Sequence, residues 1–121
     1  MRLTRNFTDD EFECLCCGYF LDSLPFRAFL VKLQNARDVA CIPFVITSGY
    51  RCPEHNKAVR GKRDSSHLRG LAADIRVQTS SDRFIIVEGL MKAGFERIGI
   101  GREFIHVDMD ISKPQRLIWI Y

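Results

Sequence analysis

The 121 residues (14.0 kDa), 46% hydrophobic and 27% charged, match one ordinary domain and exclude a disordered or collagen-like chain. A net charge of +3 is too mild to define a partner. With no helix-turn-helix pattern, zinc-finger spacing or basic–aromatic interleaving, no nucleic-acid role is expected.

The longest apolar runs, FIIV and LIWIY, fall far short of the roughly 20 residues that cross a bilayer, so no integral membrane segment is expected. In MRLTRNFTDDEFECLCCGYF, acidic residues stand where a secretory signal needs an apolar core, which predicts synthesis in the cytoplasm without a signal peptide. No repeat or linker is visible, and residues 1–121 read as one domain, expected to be a monomer.

In chain order, the first element is a helix over 24–40. Phe26, Phe29, Leu30, Leu33 and Ala40 recur at helical spacing, with Asp22 or Ser23 as cap and Pro25 in the first turn. PFVIT at 43–47 reads as a strand that runs into the turn cluster SGYRCP. A short helix over 53–60 and a polar loop over 61–70 follow, the latter rich in Gly, Ser and basic residues. From Leu71 the pattern alternates, with Leu71, Ala73, Ile75 and Val77 toward the core and Ala72, Asp74 and Arg76 away from it.

The second long helix is expected over 81–93, starting at Ser80 or Ser81, ending at Gly94, with Phe84, Val87, Leu90 and Met91 inward. ERIGIG and EFIHVDMD then read as two short strands joined at Gly99–Gly101, the second placing Phe104, His106 and Asp108 on its polar face. RLIWIY closes the chain as a strand after Pro114. Without a regular βαβ cadence, the expected class is α+β: a small, mostly antiparallel sheet with helices packed on one side.

Cys14, Cys16, Cys17, Cys41 and Cys52 form an odd set, which argues against a closed disulfide framework. CLCC lacks the two-residue spacing of a zinc knuckle half, and no His or Cys pair follows nearby. These cysteines are expected to be structural or capping rather than a second metal site.

Of the three histidines, His55 sits in the expected surface helix and is read as a non-ligand. His67, Asp74 and His106 form a possible three-ligand set, two imidazoles and one carboxylate, which suits zinc with a fourth position left for water. Such a composition is catalytic in style, because structural zinc sites usually close all four positions and favour thiolates. Gly70 and Ala72 leave room for the ion.

SSHLRGLAADIR fits S-x-H-x-x-G-x-A-x-D, with Ser65, His67, Gly70, Ala72 and Asp74 in place; EFIH fits E-x-x-H through Glu103 and His106. This pair of motifs, with ITSGYRCPEHN upstream, resembles the zinc D-alanyl-D-alanine carboxypeptidase family over roughly residues 43–110. The family includes D-Ala-D-Ala dipeptidases and phage L-alanyl-D-glutamate endopeptidases, and hedgehog-type domains share its architecture.

The resemblance implies a zinc metallopeptidase with His67, Asp74 and His106 as Zn2+ ligands and Glu103 as general base and acid. It also implies Ser65 as a substrate contact and Arg51 as the binder of substrate or developing oxyanion. In an unbroken strand Glu103 and His106 would face opposite ways, so a turn or bulge before Phe104 is expected. Asp108 either orients a ligand from behind or is an exposed edge carboxylate.

The implied substrate is the stem peptide of bacterial peptidoglycan, cut as an L-Ala-D-Glu endopeptidase or a D-Ala-D-Ala carboxypeptidase. A cell wall-degrading phage or prophage endolysin is expected, acting after holin-type release or delivery in a phage particle. The alternative is a non-catalytic zinc-containing binding module, and a weaker one a phage structural protein with an idle fold.

Overall fold

In the computed structural model, which describes residues 1–121, helix α1 (Leu24–Ala40) starts where the sequence supplies a cap and a stiff first turn. The Ser23 hydroxyl accepts the Phe26 N–H at 3.1 Å, and Pro25 lies where its missing N–H costs no helical bond. Cys41, at φ 57°, ends the helix in the left-handed region.

The sheet is built from β1 (Ile46–Ser48), β2 (Ala72–Arg76), β3 (Arg97–Ile100), β4 (Phe104–Asp108) and β5 (Leu117–Ile120) in the spatial order β1-β2-β4-β3-β5. β1 starts later than expected because Pro43 has no N–H for a ladder. The β1–β2, β2–β4 and β3–β4 pairings are antiparallel, as expected, but β5 lies parallel to β3 at the edge. Residues 109–116 carry the chain back past β3 rather than reversing it in a hairpin.

Alternation along β2 and β4 divides the sheet into two chemical faces. Ala73, Ile75, Ile105 and Val107 are buried against α1 and α3 (Ser80–Lys92), together with Phe29, Leu30, Leu33, Ile86 and Leu90. Asp74, His106 and Asp108 point the other way, under the segment that carries α2 (Pro53–Ala58).

In α3, Thr79 is the cap, accepting the Asp82 N–H at 3.0 Å. Its inward face differs from expectation. Phe84 and Met91 are exposed, while Ile86, Gly89 and Leu90 are buried. The cause is the close approach to α1: a Cβ on Gly89 would stand 2.7 Å from the Ala36 carbonyl oxygen, so the helices meet on the glycine side.

The N-terminal arm, which carries no periodicity in sequence, is an ordered part of the core. Glu11 accepts the Thr8 N–H at 2.7 Å around a 3-10 turn at Asp9–Phe12. Phe7, Phe12, Phe26 and Phe20 then stack edge to face, with successive centroids 5.8, 5.5 and 5.2 Å apart.

Candidate metal centre

Register brings two of the expected ligands together. Asp74 of β2 is paired directly with His106 of β4, so their side chains share one face. His67 arrives from the opposite wall, in a 3-10 turn at Ser66–Arg69 that Ser65 caps by accepting the His67 N–H at 3.3 Å. Below that turn Ser66 donates to Asp110 at 2.7 Å, and Asp110 also holds Arg69, so the loop carrying His67 is fastened to the end of β4.

Three donor atoms converge. Asp74 Oδ1 lies 3.1 Å from His106 Nδ1 and 3.3 Å from His67 Nε2. The outer nitrogens decide which inner ones carry lone pairs. His67 Nδ1 is 2.7 Å from the Gly49 carbonyl, and His106 Nε2 is 2.7 Å from Asp108 Oδ2; both oxygens can only accept, so both outer nitrogens carry the proton. Their inner partners, His67 Nε2 and His106 Nδ1, are left as acceptors facing an anionic oxygen.

Three lone pairs aimed at one another are a poor arrangement without a cation between them. His67 Nε2 is also the buried side-chain nitrogen or oxygen that lacks a hydrogen-bond partner. Two imidazoles and a carboxylate, all within 4.8 Å, with a fourth direction open to the cleft, fit a divalent ion of zinc type.

The charges around this point favour the same ion. Burial alone would raise the Asp74 carboxyl, but a positive charge placed between it and the His106 and His67 rings, a proton where no cation sits, holds it well below the usual range. Burial lowers the His106 imidazole, yet bonds to Asp108 and Asp74 outweigh it and raise it. Asp108, 2% exposed, is held low against the cost of its burial by His106, the Asp110 N–H and Arg97, whose Nε donates to Oδ1 at 2.8 Å. Of its two expected readings, the buried orienting carboxylate is the one found.

Arg51 donates to Asp74 Oδ2 at 3.3 Å, Ser48 at 3.2 Å and Asn56 at 3.3 Å, keeping one face toward the cleft. The cleft measures about 430 Å³, and Ser65 lies in its wall. Arg60, Lys62 and Lys113 make its rim basic, while Phe104, Trp119 and Tyr121 form an aromatic side. The Trp119 ring sits 5.5 Å from His106 and 5.0 Å from the Arg97 guanidinium. Gly99 makes this possible, since a Cβ there would meet Trp119 Nε1 at 2.6 Å.

Glu103 is the expected site residue that the structure does not bring in. The Val77 N–H donates to the Glu103 carbonyl at 2.8 Å, but the β2–β4 ladder ends at Arg76 paired with Phe104, so Glu103 sits in the bend just before β4, where a turn is expected from sequence. Glu103 is exposed in the β3–β4 turn, outside the cleft lining. His55 also lies outside that lining. Sequence reasoning missed Arg97, Trp119 and Lys113; only the strand order puts them at the site.

A protein-family model described as Peptidase M15 matches residues 5–108. No curated protein matches the chain.

Proposed function

The chain belongs to the peptidase M15 family, a family of zinc peptidases, and from that premise we propose that it hydrolyses stem-peptide bonds of bacterial peptidoglycan. The observation that carries the proposal is the convergence of His67 Nε2, His106 Nδ1 and Asp74 Oδ1 on one point, with the first of these buried and otherwise unpartnered. In this reading these three residues hold Zn2+, which when bound supplies a Lewis acid able to acidify water and polarise a carbonyl.

The chain's own residues do the rest. Arg51 fixes Asp74 through one nitrogen and offers its remaining donors to negative charge developing on the substrate carbonyl. Ser65 contacts the peptide from the cleft wall. Arg60, Lys62 and Lys113 attract its carboxylates, and Trp119, Tyr121 and Phe104 give it an apolar shelf. The first choice of scissile bond is L-Ala–D-Glu. Removal of a terminal D-Ala is the second reading, which the basic rim favours because it could hold a free carboxylate. In this reading the enzyme is a phage or prophage endolysin, released through a holin-type lesion or carried in the particle.

The test is incubation of the zinc-loaded protein and its His67→Ala variant with bacterial sacculi, followed by mass spectrometry of the soluble fragments. Release by the wild type alone, with new D-Glu amino termini, supports the endopeptidase; loss of D-Ala supports the carboxypeptidase. Tight zinc binding with wall binding and no cleavage overturns the enzyme and leaves a zinc-containing binding module.

A further inference from the structure

Four of the five cysteines lie together on the flank of the cleft. The sulfurs of Cys14, Cys16, Cys17 and Cys52 are all within 4.8 Å of one another, with Cys16 3.7 Å from Cys14 and 3.2 Å from Cys52. With a Zn–S bond of about 2.3 Å, a tetrahedral site has S···S edges of about 3.8 Å, which is the scale of this cluster. A disulfide needs about 2.05 Å and joins only two sulfurs. Cys41, by contrast, stands apart, its thiol on the Asp38 carbonyl.

The backbone around the cluster is arranged for thiolates. Cys14 to Tyr19 form a closed turn, with the Cys14 N–H on the Tyr19 carbonyl and the Gly18 N–H on the Cys14 carbonyl, both at 2.8 Å. The Cys52 N–H donates to the Cys14 sulfur at 3.4 Å, and the His55 N–H donates to the Cys52 sulfur at 3.4 Å. Capping of α2 by Cys52 agrees with the structural role expected from sequence. The convergence does not, because the fourth sulfur comes from 35 residues beyond Cys17 and no local spacing announces it. Packing does not account for the cluster either, since Cys16 and Cys17 are exposed.

We propose that Cys14, Cys16, Cys17 and Cys52 bind a structural zinc ion, a second metal site separate from the histidine–aspartate centre. Four protein thiolates close the coordination sphere, so this ion has no open position for substrate. Its work is mechanical: it clips the N-terminal arm to the segment that carries the Gly49 carbonyl behind His67 and the Arg51 guanidinium on Asp74. The Tyr50 N–H on the Phe12 carbonyl, at 3.0 Å, runs alongside the same clip.

The test is titration of the reduced, metal-free full chain with Zn2+ and, as a spectroscopic probe, Co2+. Two equivalents should bind the wild type, and Co2+ should give thiolate-to-metal charge transfer together with the visible bands of tetrahedral cobalt. A Cys16→Ser/Cys17→Ser variant, altered only at exposed positions, should bind one equivalent without the charge-transfer band and melt at lower temperature. His67→Ala should keep that band, so the result is independent of whether the enzyme reading holds. The proposal is overturned if the wild type gives no thiolate band, or if its intact mass as isolated is lower by two hydrogens through a disulfide within the cluster.

Discussion

Asp108→Asn is the substitution that most sharply tests the reading of the histidine–aspartate centre. Asp108 Oδ2 accepts from His106 Nε2 at 2.7 Å, while Oδ1 accepts from Arg97 Nε at 2.8 Å and the Asp110 N–H at 3.1 Å. An asparagine of the same shape cannot serve both sides. With its oxygen toward Arg97 and Asp110, its NH2 faces His106 and demands an acceptor at Nε2, which moves the ring proton to Nδ1, where the metal lone pair must be. With its oxygen toward His106, the NH2 meets two other donors and Arg97 loses a charged partner in a buried setting.

The first outcome costs metal affinity, on the order of 10- to 100-fold for loss of an orienting partner. The second costs stability, about 1.5–3 kcal/mol for a hydrogen bond to a charged group. Competition against a chromophoric zinc chelator at fixed pH measures the first, and urea unfolding of the chelated protein the second. An Asp108→Asn protein that binds zinc within about twofold of the wild type and unfolds at the same urea concentration would refute the tautomer argument and the ligand role of His106 Nδ1.

Glu103 is exposed and lies outside the cleft lining. Glu103→Gln is therefore expected to keep kcat within about twofold of the wild type; a loss of about 10²-fold would return the proton acceptor to Glu103. Gly99→Ala places a methyl within 2.6–2.7 Å of the Trp119 and Tyr121 rings, so the emission of the single tryptophan should shift and iodide quenching should rise; unchanged fluorescence would mean the ring does not pack there. The Asp110 carboxyl, which burial would raise, is held below its ordinary value by hydrogen bonds from Ser112 and Ser66 and by Arg69. A depressed pKa contributes stability above the unfolded value that is lost as pH falls through the folded one, so Asp110→Asn should flatten the fall of Tm between about pH 5 and pH 2.

The legible parts of this fold are those where one local pattern decides the outcome. Ser23, Pro25 and the apolar spacing of α1 specify that helix without help, and strict alternation in β2 and β4 puts Asp74 and His106 on one face before any pairing is known. The three-ligand set followed from that alternation plus the spacing of the first motif. What escaped depends on partners distant in sequence. The inward face of α3 is chosen by how closely Gly89 lets α1 approach, not by where its largest apolar residues lie. The E-x-x-H motif suggested Glu103, but it stands exposed in the bend before β4, outside the cleft lining. Trp119 reaches His106 because β5 lies parallel beside β3, and Cys52 reaches the CLCC turn only through the folded N-terminal arm.

The arrangement behind the donor atoms explains how so polar a centre survives folding. Each ligand is fixed from its far side: Asp74 through Oδ2 by Arg51, His67 through Nδ1 by Gly49, His106 through Nε2 by Asp108. The rotamers and tautomers needed for a metal are thus set by ordinary hydrogen bonds, and the entropy of organising three side chains is covered by folding rather than by the ion. What remains uncompensated is the mutual repulsion of the inner lone pairs, and a bound cation relieves that. Two of the three rear supports, Gly49 and Arg51, lie on the segment that ends at Cys52. A change at the cysteine cluster, whose nearest member in sequence to His106 is Cys52, is therefore felt at the centre through the position of Arg51 and the tautomer of His67, not through any contact with substrate.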